Sequence, residues 1–316
     1  MKVSEILENI ESPVFSIEIL PPLKGNSIQN VYKIIDKLVE FAPKFINITT
    51  HHSEIIYKEL PDGGFKKLDV RKRPGSVAIA AAIQNKYNIT TVPHMICKGF
   101  SREETEYALI DLDFLGVHNL LLLRGDANKL EADQIATNRN ENASDLQIQI
   151  AQYNDGIDVN NDFFEKPSTP FSYGMACYPE KHEESPNMEY ELFYMKKKAE
   201  LGAAYFVTQM FYDNQKYFDF VDLCRREGIT QPIIPGLKPI TMCRHLNLLP
   251  KVFHTTLPVP LAEALKNCKD NEEAKEVGVE WAIHQSKELI AAGVSSIHYY
   301  SLMASDSIRR IVKEVF

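Results

Sequence analysis

The residues able to do chemistry in this 316-residue sequence sit at the ends of apolar runs. FSIEILPP, residues 15 to 22, holds one carboxylate, Glu18, among aliphatic side chains and stops at two prolines. Ile17, Ile19 and Leu20 can desolvate such a carboxyl group, which favours its protonated form and suits it to donate a proton near neutral pH. An acid on an outward strand face is the other reading of the same pattern. LLLLRGD closes a run with Arg124, Gly125 and Asp126. The guanidinium can fork onto a diphosphate or ring oxygen, the glycine lets backbone approach a flat ring, and the carboxylate can modulate a heterocycle. A surface Arg–Asp pair at a turn is the alternative.

TTVPHMIC contributes His94, CYPEKH contributes Tyr178 and His182, and VTQMFYD contributes Gln209, whose amide can donate and accept together. Gln209 reads equally as a core glutamine satisfied by backbone. Lys196, Lys197 and Lys198 follow on a helical stretch, where a charge run is usually a solvated face. His94 with Cys97 is half of a metal site without a second half, so no metal is expected. The full set of strand-end residues, Glu18, Thr49, Thr50, His94, Arg124, Asp126, Tyr178, His182, Gln209 and Tyr300, is too mixed for a metal cage and suits a large organic ligand.

Eight apolar runs carry or shortly precede the strand-end residues: 14 to 20, 44 to 50, 90 to 97, 119 to 125, 172 to 178, 205 to 212, 231 to 237 and 296 to 302. They are near-continuously apolar rather than alternating, as parallel strands covered on both faces should be. Helical patterns with proper ends lie between them. SREETEYALIDLDFLG has a capping box in Ser101 and Glu104 and a stop at Gly116. Strand then helix, eight times, predicts an α/β fold, a (β/α)8 TIM barrel, as a single domain over 1–316 with a short helix before the first strand. An open doubly wound sheet is the runner-up, but PPLKGN stands where a dinucleotide fingerprint would follow the first strand. Connections 51 to 74 and 126 to 143 leave strand carboxyl ends and are expected as lids or cofactor-covering loops; 155 to 171 precedes a strand and is expected to be peripheral.

The formal charge of -8 gives no overall attraction to phosphate backbones or anionic lipid, so neither nucleic acid nor a membrane is an expected partner. No apolar stretch has bilayer length and the first residues are not a signal peptide, which predicts a cytoplasmic protein. Five widely spaced cysteines read as reduced thiols.

Taken together, EILPP, PHMIC, LLLRGD, ACYPEKH and TQMFYD, in this order, resemble the methylenetetrahydrofolate reductase family from about residue 14 to 312. The length corresponds to the bacterial type, a catalytic barrel without a regulatory domain. The resemblance implies FAD as cofactor, NADH or NADPH as co-substrate, ping-pong hydride transfer to 5,10-methylenetetrahydrofolate giving 5-methyltetrahydrofolate, and a homo-oligomer. It implies Glu18 as general acid opening the methylene bridge and Asp126 beside the flavin and pterin. It implies cofactor contacts from Thr49, Thr50, His52, His94, Arg124, Gly125, Asp126, Ala143, Tyr178, His182, Lys197 and Lys198, and substrate contacts from Glu18, Asp126, Gln209 and Tyr178. The chain departs from the family where Thr50 replaces a tyrosine and Lys197 often an arginine, where KPITMC lacks an aromatic near Cys243, and where Met303 and Ala304 stand in place of a folate-contacting arginine. The competing readings are a flavin-free pterin-binding barrel methyltransferase and a non-catalytic flavin- or folate-binding subunit of a complex.

Overall fold

The structure, a computed structural model, describes residues 1–125, 138–302 and 304–316. Its strands are β1 (Val14–Ile19), β2 (Phe45–Ile48), β3 (Glu54–Glu59), β4 (Phe65–Val70), β5 (Thr90–Ile96), β6 (Asn119–Leu123), β7 (Ser172–Cys177), β8 (Tyr205–Thr208), β9 (Ile233–Ile234), β10 (Gly236–Leu237) and β11 (Ser296–Leu302). Nine of them form one parallel sheet in the order β10-β11-β1-β2-β5-β6-β7-β8-β9. The two ends of that order, β9 and β10, are consecutive in sequence and separated only by Pro235, so the sheet closes on itself. The seventh apolar run is thus one barrel stave in two pieces. Proline has no amide hydrogen for a ladder, and the stave is held across the break by Gly236 N donating to Thr208 Oγ1 at 2.8 Å and by His298 N donating to Pro235 O at 2.9 Å. The fold is the (β/α)8 TIM barrel expected.

Side chains alternate along each stave. Phe15, Ile17 and Ile19 of β1 face outward and join Val31, Ile35 and Leu38 in the layer between sheet and helices. Phe45, Val92, Leu121, Tyr205, Val207 and Ile234 form a second cluster, from the inward faces of five strands, with Val3 packed against them. Val3 comes from the short helix Val3–Glu8, whose start is tied to the first residue of β6: Val3 N donates to Asn119 Oδ1 at 2.8 Å and Asn119 Nδ2 to Met1 O at 3.0 Å. This helix therefore plugs the amino-terminal end of the barrel and leaves the other end as the mouth.

The connection after β2, expected over residues 51 to 74 as a lid or cofactor-covering loop, carries regular structure. It forms the antiparallel hairpin β3–β4. EIIYKE and FKKLDV flank LPDGG, in which Gly63 adopts φ +81°, Leu60 N donates to Gly64 O at 2.7 Å and Gly64 N to Asp62 Oδ1 at 3.0 Å. The glycine-bearing turn LPDGG is the hairpin signal in this stretch. The return leg is fastened to the segment after β1, through Lys24 N to Lys72 O at 2.7 Å and through the Arg73 guanidinium to Pro21 O. Among the described residues no helix is long and apolar enough to cross a membrane.

Candidate functional site

Three consecutive staves at the mouth bring Glu18, Tyr300 and Lys238 into one row. Glu18 pairs with Tyr300 in the β1–β11 register, and Lys238 follows the Leu237–Tyr299 pair of β10 and β11 by one residue. Glu18 is 7% exposed, and burial pushes its carboxyl up to about 8, with Lys238 drawing it down. Lys238 is itself depressed by burial and raised by Glu18. On the other side, His94 Nε2 lies 3.6 Å from Glu18 Oε2. Burial and then His51 hold His94 at about 3. At neutral pH the acid therefore keeps its proton and the imidazole lacks one, so this contact is not ionic, and 3.6 Å is too long for a hydrogen bond.

Beneath this row polar groups share the lumen with the inward apolar cluster. His298 Nδ1 is 2.8 Å from Ser16 Oγ, while its Nε2 is buried without a hydrogen-bond partner among the described residues. Burial and then His94 hold His298 at about 3. Both amide atoms of Asn47 and the Nε2 of His94 are also buried and unpartnered among the described residues. Such groups are costly unless something polar meets them. Tyr300 donates its hydroxyl to Thr208 O at 2.5 Å, and Ser301 Oγ donates to Glu18 O at 2.5 Å, fixing the row from below.

The β5–β7 side of the mouth carries cations. Arg124 Nη1 donates to Glu184 Oε2 at 2.5 Å, and Glu184 N donates to His182 Nδ1 at 3.2 Å. Tyr178 and His182 meet edge to face with ring centroids 4.7 Å apart. Burial and then Arg124 lower His182. The loop is held by buried Glu191, which accepts from His182 N at 3.1 Å and Ser185 Oγ at 2.9 Å. Gly125 adopts φ +85°, and a Cβ there would meet Ile96 and Lys98 at 3.4 and 3.5 Å. Thr49 Oγ1 is 3.3 Å from His51 Nε2, and the Thr50 hydroxyl donates to His94 O at 2.5 Å and lies 2.6 Å from Ser76 Oγ. His52 Nδ1 is 2.6 Å from Ser53 O, and its Cβ stands 2.3 Å from where Gly99 would carry one, so only glycine fits there.

Other predicted residues lie apart. Lys198 donates to Ala176 O at 2.9 Å, in the layer behind β7, and Lys197 is exposed on the helix Met188–Glu200. Ala143 opens the helix Ala143–Asn154 and packs against the outer core. Gln209 follows β8 and accepts from Met210 N at 2.9 Å. Asp126 lies outside the described residues, as does Met303. Sequence reading missed Lys238, Asn47, His298 and Glu184. The signal for Asn47 and His298 was present, since each stands two positions before a residue chosen at the mouth and so faces the same way.

These residues fit a flavin dinucleotide. Buried, unpartnered donors and acceptors in the lumen suit the polar edge of a flat heterocycle, the open backbone at Gly125 suits its close approach, and Arg124 with Lys98 supplies positive charge at the rim. No group of three His, Cys, Asp or Glu placed to hold a metal ion occurs among the described residues.

The sequence profile of one family, methylenetetrahydrofolate reductase, matches residues 2–315. A relative from Arabidopsis thaliana, methylenetetrahydrofolate reductase (NADH) 1, is 29% identical over 317 residues, covering 97% of this chain and 48% of its own. The chain thus spans about half the length of the plant relatives it matches. The 5,10-methylenetetrahydrofolate reductase of Buchnera aphidicola subsp. Baizongia pistaciae is 28% identical over 308 residues, with 96% of this chain and 92% of that protein covered. Among solved structures, an uncharacterized Clostridium thermocellum protein that binds two copies of 5-methyl-5,6,7,8-tetrahydrofolic acid superposes with a TM-score of 0.58 at 16% identity, over 99% of this chain and 97% of that one, a likeness of fold.

Proposed function

Because the chain belongs to the methylenetetrahydrofolate reductase family, we propose that it reduces 5,10-methylenetetrahydrofolate to 5-methyltetrahydrofolate, with NADH or NADPH as donor and FAD as the carrier between them. The observation that carries this reading is a carboxyl group, Glu18, buried at a barrel mouth and holding a proton up to about pH 8.

Bound FAD would supply a two-electron carrier that takes hydride from the nicotinamide and returns it to the folate. Arg124 and Lys98 would hold its diphosphate, Gly125, Thr49, Thr50 and His94 its ring, with Tyr178 and His182 beside it. Glu18 gives its proton to the nitrogen that leaves the methylene bridge, and that nitrogen departs with the C–N electron pair. Neutral His94 keeps a second positive charge away from the acid, so the proton stays on Glu18 Oε until substrate takes it. Gln209 offers an amide to the pterin edge. The outer core of Ile17, Ile19 and Ile48 fixes these strand ends and keeps water from the back of the row.

Anaerobic stopped-flow absorbance of the FAD-loaded protein tests it. The yellow colour bleaches with NADH or NADPH, and methylenetetrahydrofolate restores it. Protein that stays colourless with FAD points to a flavin-free barrel enzyme instead, and protein that bleaches but is never reoxidised by the folate points to a non-catalytic subunit.

A further inference from the structure

Delivering a proton leaves Glu18 as a carboxylate in a nearly dry place, and what faces it then decides how easily the proton leaves. From β2 the neighbour is Asn47, an uncharged amide two positions below Thr49. From β5 it is His94, neutral at working pH, with His51 acting on it from the turn after β2. From β11 they are His298 and Tyr300, both neutral. From the end of β10 it is Lys238, which with Arg244 acts on His245 at the start of the helix His245–Phe253, held at about 4 by burial and then Lys238. Lys238 is therefore the cation in this ring among the described residues.

Its place is built. The main chain of Lys238 is anchored where Tyr212 donates its hydroxyl to Lys238 O at 3.0 Å, and Trp281 Nε1 in turn donates to Tyr212 O at 3.0 Å. Gly236, two residues earlier, has no room for a Cβ: it would fall 2.4 Å from Thr208 O and 2.6 Å from the Tyr300 ring. The stave thus passes tightly against Tyr300 and sets Lys238 beside it, so that Glu18, Tyr300 and Lys238 occupy one level of three adjacent strands.

We propose that Lys238 is a positioning residue for acid catalysis: its ammonium, held across Tyr300 from Glu18, stabilises the carboxylate that remains once Glu18 has given its proton to substrate. This deepens, and rests on, the reductase reading above. The step is a proton transfer, in which the Glu18 O–H bond breaks and an N–H bond forms on the leaving nitrogen, and Lys238 changes neither its bonds nor its protonation. A cation two strands away is worth about one pH unit on this buried carboxyl group, or about a tenfold change in its acidity.

The test is a direct titration of the Glu18 carboxyl by isotope-edited infrared difference spectroscopy on the full chain, assigned by its loss in Glu18→Gln. The midpoint should rise by about one pH unit in Lys238→Met and Lys238→Gln and return in Lys238→Arg. Two neutral variants are used so that one that fails to fold leaves the other to decide. In the reoxidation half-reaction the same neutral variants should lower the plateau rate about tenfold while moving its alkaline limb upward, and a purely structural defect would lower the rate without moving the limb. A Glu18 midpoint that stays put in the neutral variants, or moves as far in Lys238→Arg, overturns the proposal. The infrared titration needs no turnover, so a wild-type protein inactive on methylenetetrahydrofolate removes the functional reading while the titration still judges Lys238.

Discussion

Glu18 and His94, from β1 and β5 with β2 between them, meet at 3.6 Å inside the barrel, and the environment leaves each uncharged near neutral pH. An acid and a base this close would ordinarily share a proton as an ion pair. Here burial raises one and lowers the other, so the proton sits wholly on the carboxyl side, available to a third party.

Replacing Glu18 with glutamine keeps the shape and removes the proton. In Glu18→Gln, reoxidation by methylenetetrahydrofolate should slow by about 10²- to 10⁴-fold, the usual range for losing a general acid. Bleaching by NADH should stay within a few-fold of wild type in the same stopped-flow cell. Equal, small effects on both halves would remove Glu18 from the chemistry.

The same carboxyl group makes stability depend on pH. Its folded value, about 8, lies above the ordinary 4.5, so the stability it contributes is fully present below about 4.5 and is lost as pH rises to about 8. Urea denaturation of Glu18→Gln should show no advantage over wild type at pH 4.5, a growing one up to about pH 8, and a constant one beyond. His94 and His298 act in the opposite sense, since both fall from 6.5 to about 3 on folding. In wild type their share of stability is lost as pH drops below 6.5.

Gly174 leaves room for a ring. A Cβ there would lie 2.4 Å from two carbons of Tyr205, which is buried in the lumen cluster. Gly174→Ala should lower the unfolding free energy by about 1–3 kcal/mol, the cost of overpacking a tight core. In the double variant with Tyr205→Leu the two losses should fall short of their sum, because the smaller side chain accepts the added methyl.

Arg124 is shared between the rim and Glu184. Arg124→Ala should weaken FAD binding by about tenfold or more, the value of one charge-assisted contact, and Arg124→Lys should recover only part because the fork is lost. Glu184→Gln frees the guanidinium and should tighten binding. Quenching of flavin fluorescence on titration reads all three.

Much of the fold was legible because a parallel barrel writes its staves as apolar runs. The strand residues of TTVPHMIC and NLLLLRG are buried on both faces, as parallel strands between a core and a helical layer must be. The hairpin was missed because its strands are exposed and carry Lys58, Lys66 and Lys67, so no hydrophobic pattern marks them; only LPDGG did. Glu18 was legible as an anomaly within an apolar run. Lys238 was not, because in QPIIPGLKPI a lysine after a proline-broken run reads as an ordinary loop charge, and only the register beside Tyr300 gives it a neighbour. Asp126, the second residue expected to act, lies outside the described residues.

The proline between β9 and β10 makes ring closure and mouth chemistry depend on one short tract. Pro235 interrupts the ladder, Gly236 grazes Tyr300, and Lys238 ends the same hexapeptide that began at Ile233. A single insertion or deletion in those six positions would shift the register of the closing stave and the charge opposite the acid together. The tract should therefore tolerate less drift in length among descendants of this chain than any exposed helix on the rim, and hybrid barrels joined elsewhere should keep their activity more often than hybrids joined here.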